Sequence, residues 1–375
     1  MNITTHEDGL GEIRREHLKD IATGAAILGT GGGGDPYIGR LLADVAMGEN
    51  GPVPLLALAE VPLDAVVAAV GVIGAPTVGV EKVQGADEVV DAVRALSRAL
   101  PSPVTHLICT EVGGGNSMIP IVAACRLGLP LVDADGMGRA FPELQMLTPG
   151  LDGHSATPLA VADEKGNAVV LDTVDNDWAE LIARSVAVTM GASASYAMYP
   201  MSGAAARTAY IPGTLSWAHR LGRVCRESRE RHEDIPAVVA AELEGDVVFA
   251  GKVVEVERRT VGGFVRGAAR IAARDGSVLE LEFQNENLVA RIDGRVTASV
   301  PDLICVLESD TGAPVTTENL GFGARVSVLV APAHPKWRTP RGLELVGPRY
   351  FGYEFDYTPF SPAPARATGA PAALR

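Results

Sequence analysis

The stretch "HLICTEVGGGNSMIP", His106 to Pro120, opens on a short apolar run, breaks at three successive glycines and continues into a helical pattern. A brief apolar run bounded by turn residues reads as a buried strand, and apolar residues three and four apart read as a helix. "THLICTEV" is therefore a strand and "SMIPIVAACRLG" a helix. The same alternation extends to either side: "PLLALAEV", "AVVAAVGVIG" and "PLVDAD" read as strands, and "ADEVVDAVRALSRAL" as a helix. Upstream, "EHLKDIATGAAIL" places Leu18, Ile21, Ala22, Ala25 and Leu28 at helical spacing. Asp35 caps a further helix with Pro36 at its first position. Strand and helix in alternation imply a mostly parallel sheet with helices on its faces.

The texture changes after "NAVVLDTV". Two amphipathic helical patterns, "DWAELIARSVAVTMG" and "GTLSWAHRLGRVCRESRE", lead into short strands separated by turn signals such as "RDGS" and "IDGR". The expected class is α/β plus β: a flexible N-terminus over residues 1–15, an α/β domain over 16–175, helices and a smaller β-rich domain over 176–358, and a disordered tail over 359–375. With 375 residues, 47% hydrophobic and 21% charged, the chain has material for ordinary cores. A net charge of −14 argues against a nucleic-acid partner, which needs a basic surface. Arg223, Arg226, Arg229 and Arg231 alternate with Glu227, Glu230, Glu233 and Asp234, the pattern of a salt-bridged surface helix. Cys109, Cys125, Cys225 and Cys305 are far apart and form no CxxC, so reduced thiols in a cytoplasmic protein are expected. No apolar run is long enough to cross a bilayer.

Two glycine clusters carry the functional question. Gly29, Gly31 and Gly34 in "GTGGGGDPYIGR" satisfy G-x-G-x-x-G, but the preceding segment reads as a helix, and Asp35 sits where a phosphate would want positive potential. The second cluster leaves a strand through Glu111, Gly113, Gly114, Gly115 and Asn116, and the next strand ends in Asp133, Asp135, Gly136, Arg139 and Glu143. Ligands of open α/β sheets bind outside the carboxyl ends of the strands. Carboxylates there serve as acid, base or anchor, and glycine N–H groups stabilise developing negative charge. The competing reading is that Asp135 and Glu143 cap turns while Arg139 neutralises them.

"LGTGGGGDPYIGR", "TEVGGGNSMIP", "LPLVDADGMGRAFPELQM", "GGFVRG" and "APAHPKWRTPRGLELVGPRYFGY" closely resemble the S-methyl thiohydantoin desulfurase family, loosely linked to hydantoinases and oxoprolinases, over about residues 16 to 358. The resemblance implies hydrolysis at C2 of a five-membered heterocyclic small molecule: methanethiol leaves and a hydantoin remains, as in breakdown of methylated thio-histidine compounds. Set against that chemistry, Glu111, Asp135 and Glu143 are the candidate acids and bases, with His334 in "APAHPKW" as a further proton shuttle. Gly31, Gly32, Gly33, Gly114 and Gly115 would let the backbone approach a flat ring, with Asp35, Asn116 and Ser117 beside it. Arg139 or Arg40 would hold a carboxylate arm.

Cys109 lies on the strand that delivers Glu111 and is a candidate thiol nucleophile, although a buried cysteine is commoner as apolar filler. No cofactor is assigned. A divalent metal such as zinc would activate water and accept sulfur, and Glu111, Asp133, Asp135, Glu143, His154 and His334 are ligand types, but no compact ligand spacing is present. A homo-oligomer is expected, with the β-rich half completing the pocket or a contact between copies. Two alternatives remain: a non-catalytic accessory subunit of a hydantoinase-type system, and a hydrolase of another hydantoin-like cyclic amide.

Overall fold

The computed structural model describes residues 9–74, 85–261 and 264–362. The glycines that open "GGFVRG", Gly262 and Gly263, lie outside the described residues, as do residues 1–8 of the expected flexible N-terminus and 363–375 of the expected tail.

The first sheet is built around four parallel strands: β2 (Val53–Ala57), β3 (Val66–Gly74), β4 (His106–Cys109) and β5 (Leu131–Asp135), side by side in the order β2-β5-β4-β3. Antiparallel strands extend it: β1 (Glu12–Ile13) pairs with β2, β8 (Ser193–Ser202) with β3, and β6 (Leu159–Ala162) and β7 (Ala168–Leu171) lie beyond β8. The short β9 (Ile211–Pro212) pairs with β5. Side chains alternate across a strand, and β3 divides its residues accordingly. Ala68 and Val70 join a core with Leu18, Ala43, Val93 and Ile121 from helices Leu18–Leu28, Pro36–Asn50, Asp87–Ala99 and Ile119–Leu127. Val67 and Ala69 join a second core with Ala179, Ala183 and Ala187 from helix Asn176–Thr189. Burial on both faces explains why the strands read as unbroken apolar runs.

The second sheet is antiparallel throughout. β10 (Asp246–Val261), β11 (Phe264–Ala272), β12 (Val278–Gln284), β13 (Glu286–Ile292) and β14 (Arg295–Ser299) follow one another as a meander; β15 (Leu303–Glu308) and β16 (Arg325–Ala331) add to the other side of β10. The sheet curls, so that the Asn287 side-chain Nδ2 on β13 reaches the Ile304 carbonyl on β15 at 2.9 Å.

This α/β plus β class is the expected one, but hydrogen bonding crosses the border expected at residue 175. β8, read from sequence as part of no strand, sits inside the first sheet between β3 and β6. Residues 12–15 of the N-terminus expected to be flexible form β1 and enter a 3-10 turn, Arg15–His17, with Arg15 paired to Asp44 at 2.7 Å. At the other end the Phe360 N–H is tied to Asp302 at 2.8 Å. Arg226 of helix Thr214–Glu230 and Arg231 just after it pair with Asp20, Glu227, Glu230 and Glu233, as the interleaved charges predict. Among the described residues no helix is long and apolar enough to cross a membrane.

Two contacts hold this arrangement. Helices Leu18–Leu28 and Thr214–Glu230 meet backbone to backbone: a Cβ at Gly24 would fall 1.8 Å from the Ala218 carbonyl oxygen, and one at Gly222 1.8 Å from that of Asp20. Arg139 is buried and joins the two sheets. Its Nε donates to the Ala140 carbonyl, Nη1 to those of Pro301 (3.0 Å) and Asp302 (2.7 Å), and Nη2 to Thr30 Oγ1 (2.6 Å) and the Asn287 carbonyl (3.4 Å). All five guanidinium N–H groups are thereby used.

Gly24→Ala cannot be relieved by a side-chain rotation, because its obstacle is backbone. It should cost about 1–3 kcal/mol or more, as overpacking does, seen as a lower urea midpoint with helical content kept. Arg139→Lys leaves several buried acceptors unmet and should destabilise by about 3–5 kcal/mol, the range for breaking a buried charged contact; chemical denaturation checks it.

Candidate functional site

The carboxyl ends of β3 and β4 open into a cavity of about 320 Å³. Its walls include the glycine loop (Gly33, Gly34, Asp35), the end of β3 (Val72–Gly74), the turn after β4 (Glu111, Gly115, Asn116), the loop after β5 through Glu143, helix Asn176–Thr189 through Arg184, β8 through Tyr196, and the start of β13 with Asn285 and Glu286. A cavity at strand C-termini is the expected ligand position for such a sheet.

Glu111 is fixed by Asn116. The Asn116 Oδ1 accepts the Val72 N–H at 2.8 Å, which turns its amide nitrogen toward Glu111 Oε1 at 2.6 Å. The other oxygen, Oε2, is buried and has no protein partner. Burial pushes this carboxyl up to about 8 and outweighs the opposing Asn116 side chain and Phe141 backbone, so Glu111 keeps its proton at neutral pH. A neutral carboxylic acid whose accepting oxygen is already occupied presents the remaining oxygen as a donor. Tyr196, on β8, lines the same wall. Its hydroxyl fits because Gly71 has no side chain: a Cβ there would stand 2.6 Å from it.

Glu286 enters from the second sheet. It is 2% exposed, and its Oε2 also lacks a partner. Its position depends on Gly32, where a Cβ would fall 2.0 Å from Glu286 Oε1. Gly31 is likewise packed against Asn287 of β13 and Thr317 between β15 and β16, and Gly33 and Gly114 against each other's loops. The first glycine loop is thus a docking surface for protein, and only its Gly33–Asp35 end faces the cavity.

Among the expected site residues, the structure brings Glu111, Glu143, Gly33, Asp35, Gly115 and Asn116 to the cavity wall. Glu143 accepts there from Gln145 Nε2 (2.6 Å) and the Tyr350 hydroxyl (2.5 Å). Asp35 caps helix Pro36–Asn50 by accepting the Tyr37 N–H at 2.8 Å. Gly31, Gly32, Gly114, Ser117, Asp135, Arg139 and His334 do not line it. Ser117 donates to the Gly114 carbonyl at 2.6 Å and holds the turn.

Asp135 is fully buried, and one oxygen accepts from Val112, Met137 and Gly138. Burial pushes it up to about 7 against those bonds. It secures the turn after β5, the capping role that competed with catalysis in the sequence. Arg139, expected to hold a substrate arm, has no N–H left for one. Arg40 stacks over Tyr37 at 5.5 Å outside the wall. The wall cation is Arg184, bonded to Glu180, donating to the Pro142 carbonyl (3.1 Å) and lying 4.3 Å from the Phe264 ring centre. His334 accepts the Lys336 N–H as a helix cap, and burial with the Lys336 charge pushes it down to about 4. The Cys109 thiol is buried and pushed well up by burial and the nearby carboxylates, which opposes thiolate chemistry. Among the described residues no three His, Cys, Asp or Glu side chains gather as a metal-holding group.

Sequence reasoning missed Glu286, Arg184 and Tyr196. "FQNENL" contains a polar Asn-Glu-Asn inside a strand pattern, an anomaly that could have marked Glu286. Arg184 and Tyr196 carry no such signal.

No curated protein matches this chain. A crystal structure of a protein from Chromobacterium violaceum is similar with a TM-score of 0.81 at 24% identity, covering 93% of this chain and 100% of that one, a likeness of fold. Residues 16–173 match the S-Me-THD-like N-terminal domain and residues 174–360 the S-Me-THD-like C-terminal domain. Together the two matches span nearly the whole chain, which therefore belongs to the S-methyl thiohydantoin desulfurase family.

Proposed function

We propose that this protein is a hydrolase that cleaves the C–S bond at C2 of an S-methyl thiohydantoin-type ring, releasing methanethiol and leaving a hydantoin. The observation that carries the reading is Glu111: a cavity-lining carboxyl group that keeps its proton at neutral pH, with one oxygen held by Asn116 and the other buried without a partner. Family membership supplies the ring; Glu111 supplies what the ring needs. When water adds to C2, the C2=N electrons move to the ring nitrogen, which requires a proton. Glu111 gives it. As the intermediate collapses, the hydroxyl proton of the former water returns to Glu111, and the C–S electron pair leaves with sulfur, which takes up the proton the water lost on attack. Asn116 keeps the carboxyl pointed inward in both states, since its N–H bond to Oε1 strengthens when Glu111 is briefly an anion. Arg184 would face an anionic substituent on the ring, and Tyr196 shields the acid from bulk water.

The test is thiol release from a synthetic S-methyl thiohydantoin bearing a propionate arm, with and without chelator, alongside detection of the hydantoin. Release that ceases with chelator and returns with zinc would give the reaction a metal. Binding without release in either condition would make the protein an accessory binder and defeat the proposal.

Glu111→Gln keeps the shape and removes the proton donor, so kcat should fall by about 10²–10⁴-fold, the usual contribution of a general acid. In wild type, kcat/KM should decline above about pH 8 as Glu111 ionises. The stability sign follows from the same shift. Folding raises this carboxyl above its ordinary value, so its contribution is fully present below pH 4.5 and is lost as pH rises to about 8. Glu111→Gln should therefore melt no lower than wild type at pH 9 while being inactive, which thermal denaturation at two pH values checks.

A further inference from the structure

We infer that Glu286, delivered by the second sheet, is the second catalytic carboxyl of this cavity: it takes the proton from the attacking water while Glu111 gives one to the ring. The inference rests on the hydrolytic reading above and adds to it the base.

Three observations carry it. Glu111 and Glu286 are both more than nine-tenths buried, both line the cavity, and each has one oxygen without a partner. Buried polar atoms are nearly always hydrogen-bonded, so two orphaned carboxyl oxygens on residues that line one cavity mark carboxyls whose bonding the protein itself leaves incomplete. The second observation is the seat cleared for Glu286. Gly32 is the one residue of the Gly31–Gly34 run with no left-handed backbone angle, yet any side chain there would strike the Glu286 carboxyl.

The third is charge. Arg139 is buried and donates only to carbonyl oxygens and a hydroxyl, so its positive charge needs a counter-charge nearby. It bonds the carbonyl of Asn287, the neighbour of Glu286, and Glu286 is the carboxyl with the largest effect on it. Burial first and then the Glu111 charge push Glu286 well above its ordinary value, and the Arg139 charge offsets part of that rise. Two carboxyls in one dry site do not both ionise; the Arg139 charge bears on Glu286 more than on Glu111, and on the proposed assignment Glu286 carries the negative charge and Glu111 the proton.

The atoms balance. Glu286 accepts a proton from water as its oxygen bonds to C2, and Glu111 protonates the ring nitrogen. On collapse, C2=O forms, the hydroxyl proton passes to Glu111, the C–S bond breaks with its electron pair on sulfur, and Glu286 protonates the departing sulfur. Both carboxyls end as they began, with one water consumed and methanethiol and an N–H lactam formed.

The test combines ¹³C NMR titration of labelled glutamate carboxyls with kinetics on wild type, Glu111→Gln, Glu286→Gln and Gly32→Ala. Each Glu→Gln substitution should lower the midpoint of the remaining carboxyl by about one pH unit or more, because a facing like charge has gone. Glu286→Gln should lose about 10²-fold or more in kcat with KM little changed, and should lose the low-pH limb of the kcat/KM profile while keeping the high-pH limb that Glu111→Gln removes. Gly32→Ala leaves Glu286 in the chain but displaces its carboxyl, and should show the same loss of kcat while remaining folded. This variant keeps the test decisive if Glu286→Gln folds poorly. Near wild-type turnover in Glu286→Gln or Gly32→Ala, or midpoints that stay put, overturns the inference. Coupled midpoints in a wild type that releases no thiol overturn the proposed reaction instead and leave the carboxyl pair standing.

Discussion

The Gly29–Gly34 loop is the point through which everything else is positioned. The Thr30 carbonyl accepts the Asn287 N–H at 2.8 Å, the Gly31 carbonyl accepts that of Thr317 at 2.8 Å, and the Gly33 carbonyl accepts that of Gly115 at 2.9 Å. Three separate segments therefore meet one short loop, at distances that leave no room for side chains: a Cβ at Gly33 would fall 2.5 Å from the Gly113 carbonyl oxygen. Thr30 accepts a left-handed backbone, φ 50°, to make the turn. A β-branched residue rarely does so, at a cost of about 1–3 kcal/mol. Arg139 holds it there through Thr30 Oγ1. The strained turn, the buried guanidinium and the docked second sheet are one arrangement, and the cavity exists because that arrangement closes it.

The same contact organises the charges. Removing carboxyls from water raises the free energy of their ionised forms, and the interior gives little screening in return. At Asp135 three backbone N–H groups offset part of that cost, and at Asp133 the Leu215 and Ser216 N–H groups with the Ser216 hydroxyl do the same. Both secure turns. Glu111 and Glu286 have no such cluster of three donors, and they, unlike Asp133 and Asp135, line the cavity. The contrast separates the carboxyls that build this structure from those that can act in it.

How much of this was legible in the sequence follows from the range of the interactions. Strands and helices of the parallel core came from local periodicity, and the Asp35–Pro36 cap is a four-residue matter, so these appear where the pattern puts them. β8 did not: "SASYAMYPMS" follows a helix and a glycine in a region whose texture had changed, and its place between β3 and β6 is set by pairing with residues more than a hundred positions away. At the site, Glu111 and Asn116 are five residues apart and legible together. Glu286 is not, because nothing local says that a glutamate at a strand start will meet a glycine loop over 250 positions earlier. Arg139 was misjudged for the same reason: a lone arginine beside carboxylates suggests a substrate anchor until its five acceptors, most of them distant in sequence, are seen.

The glycine motif shows where a pattern stops and chemistry begins. G-x-G-x-x-G selects for backbone that approaches something closely, and a phosphate is one such thing; a second sheet is another. The two are told apart by the helix that follows. A phosphate cradle needs the first N–H groups of that helix left open and positive potential in front of them. Here Asp35 already accepts the Tyr37 N–H and places a carboxylate at the very position an anion would take. The loop's own carbonyls accept from Asn287, Thr317 and Gly115, so it presents acceptors to protein. Glycine at these positions thus serves to bring two sheets within hydrogen-bonding distance, and the carboxyl that crosses with the second sheet arrives in the cavity because Gly32 leaves it room.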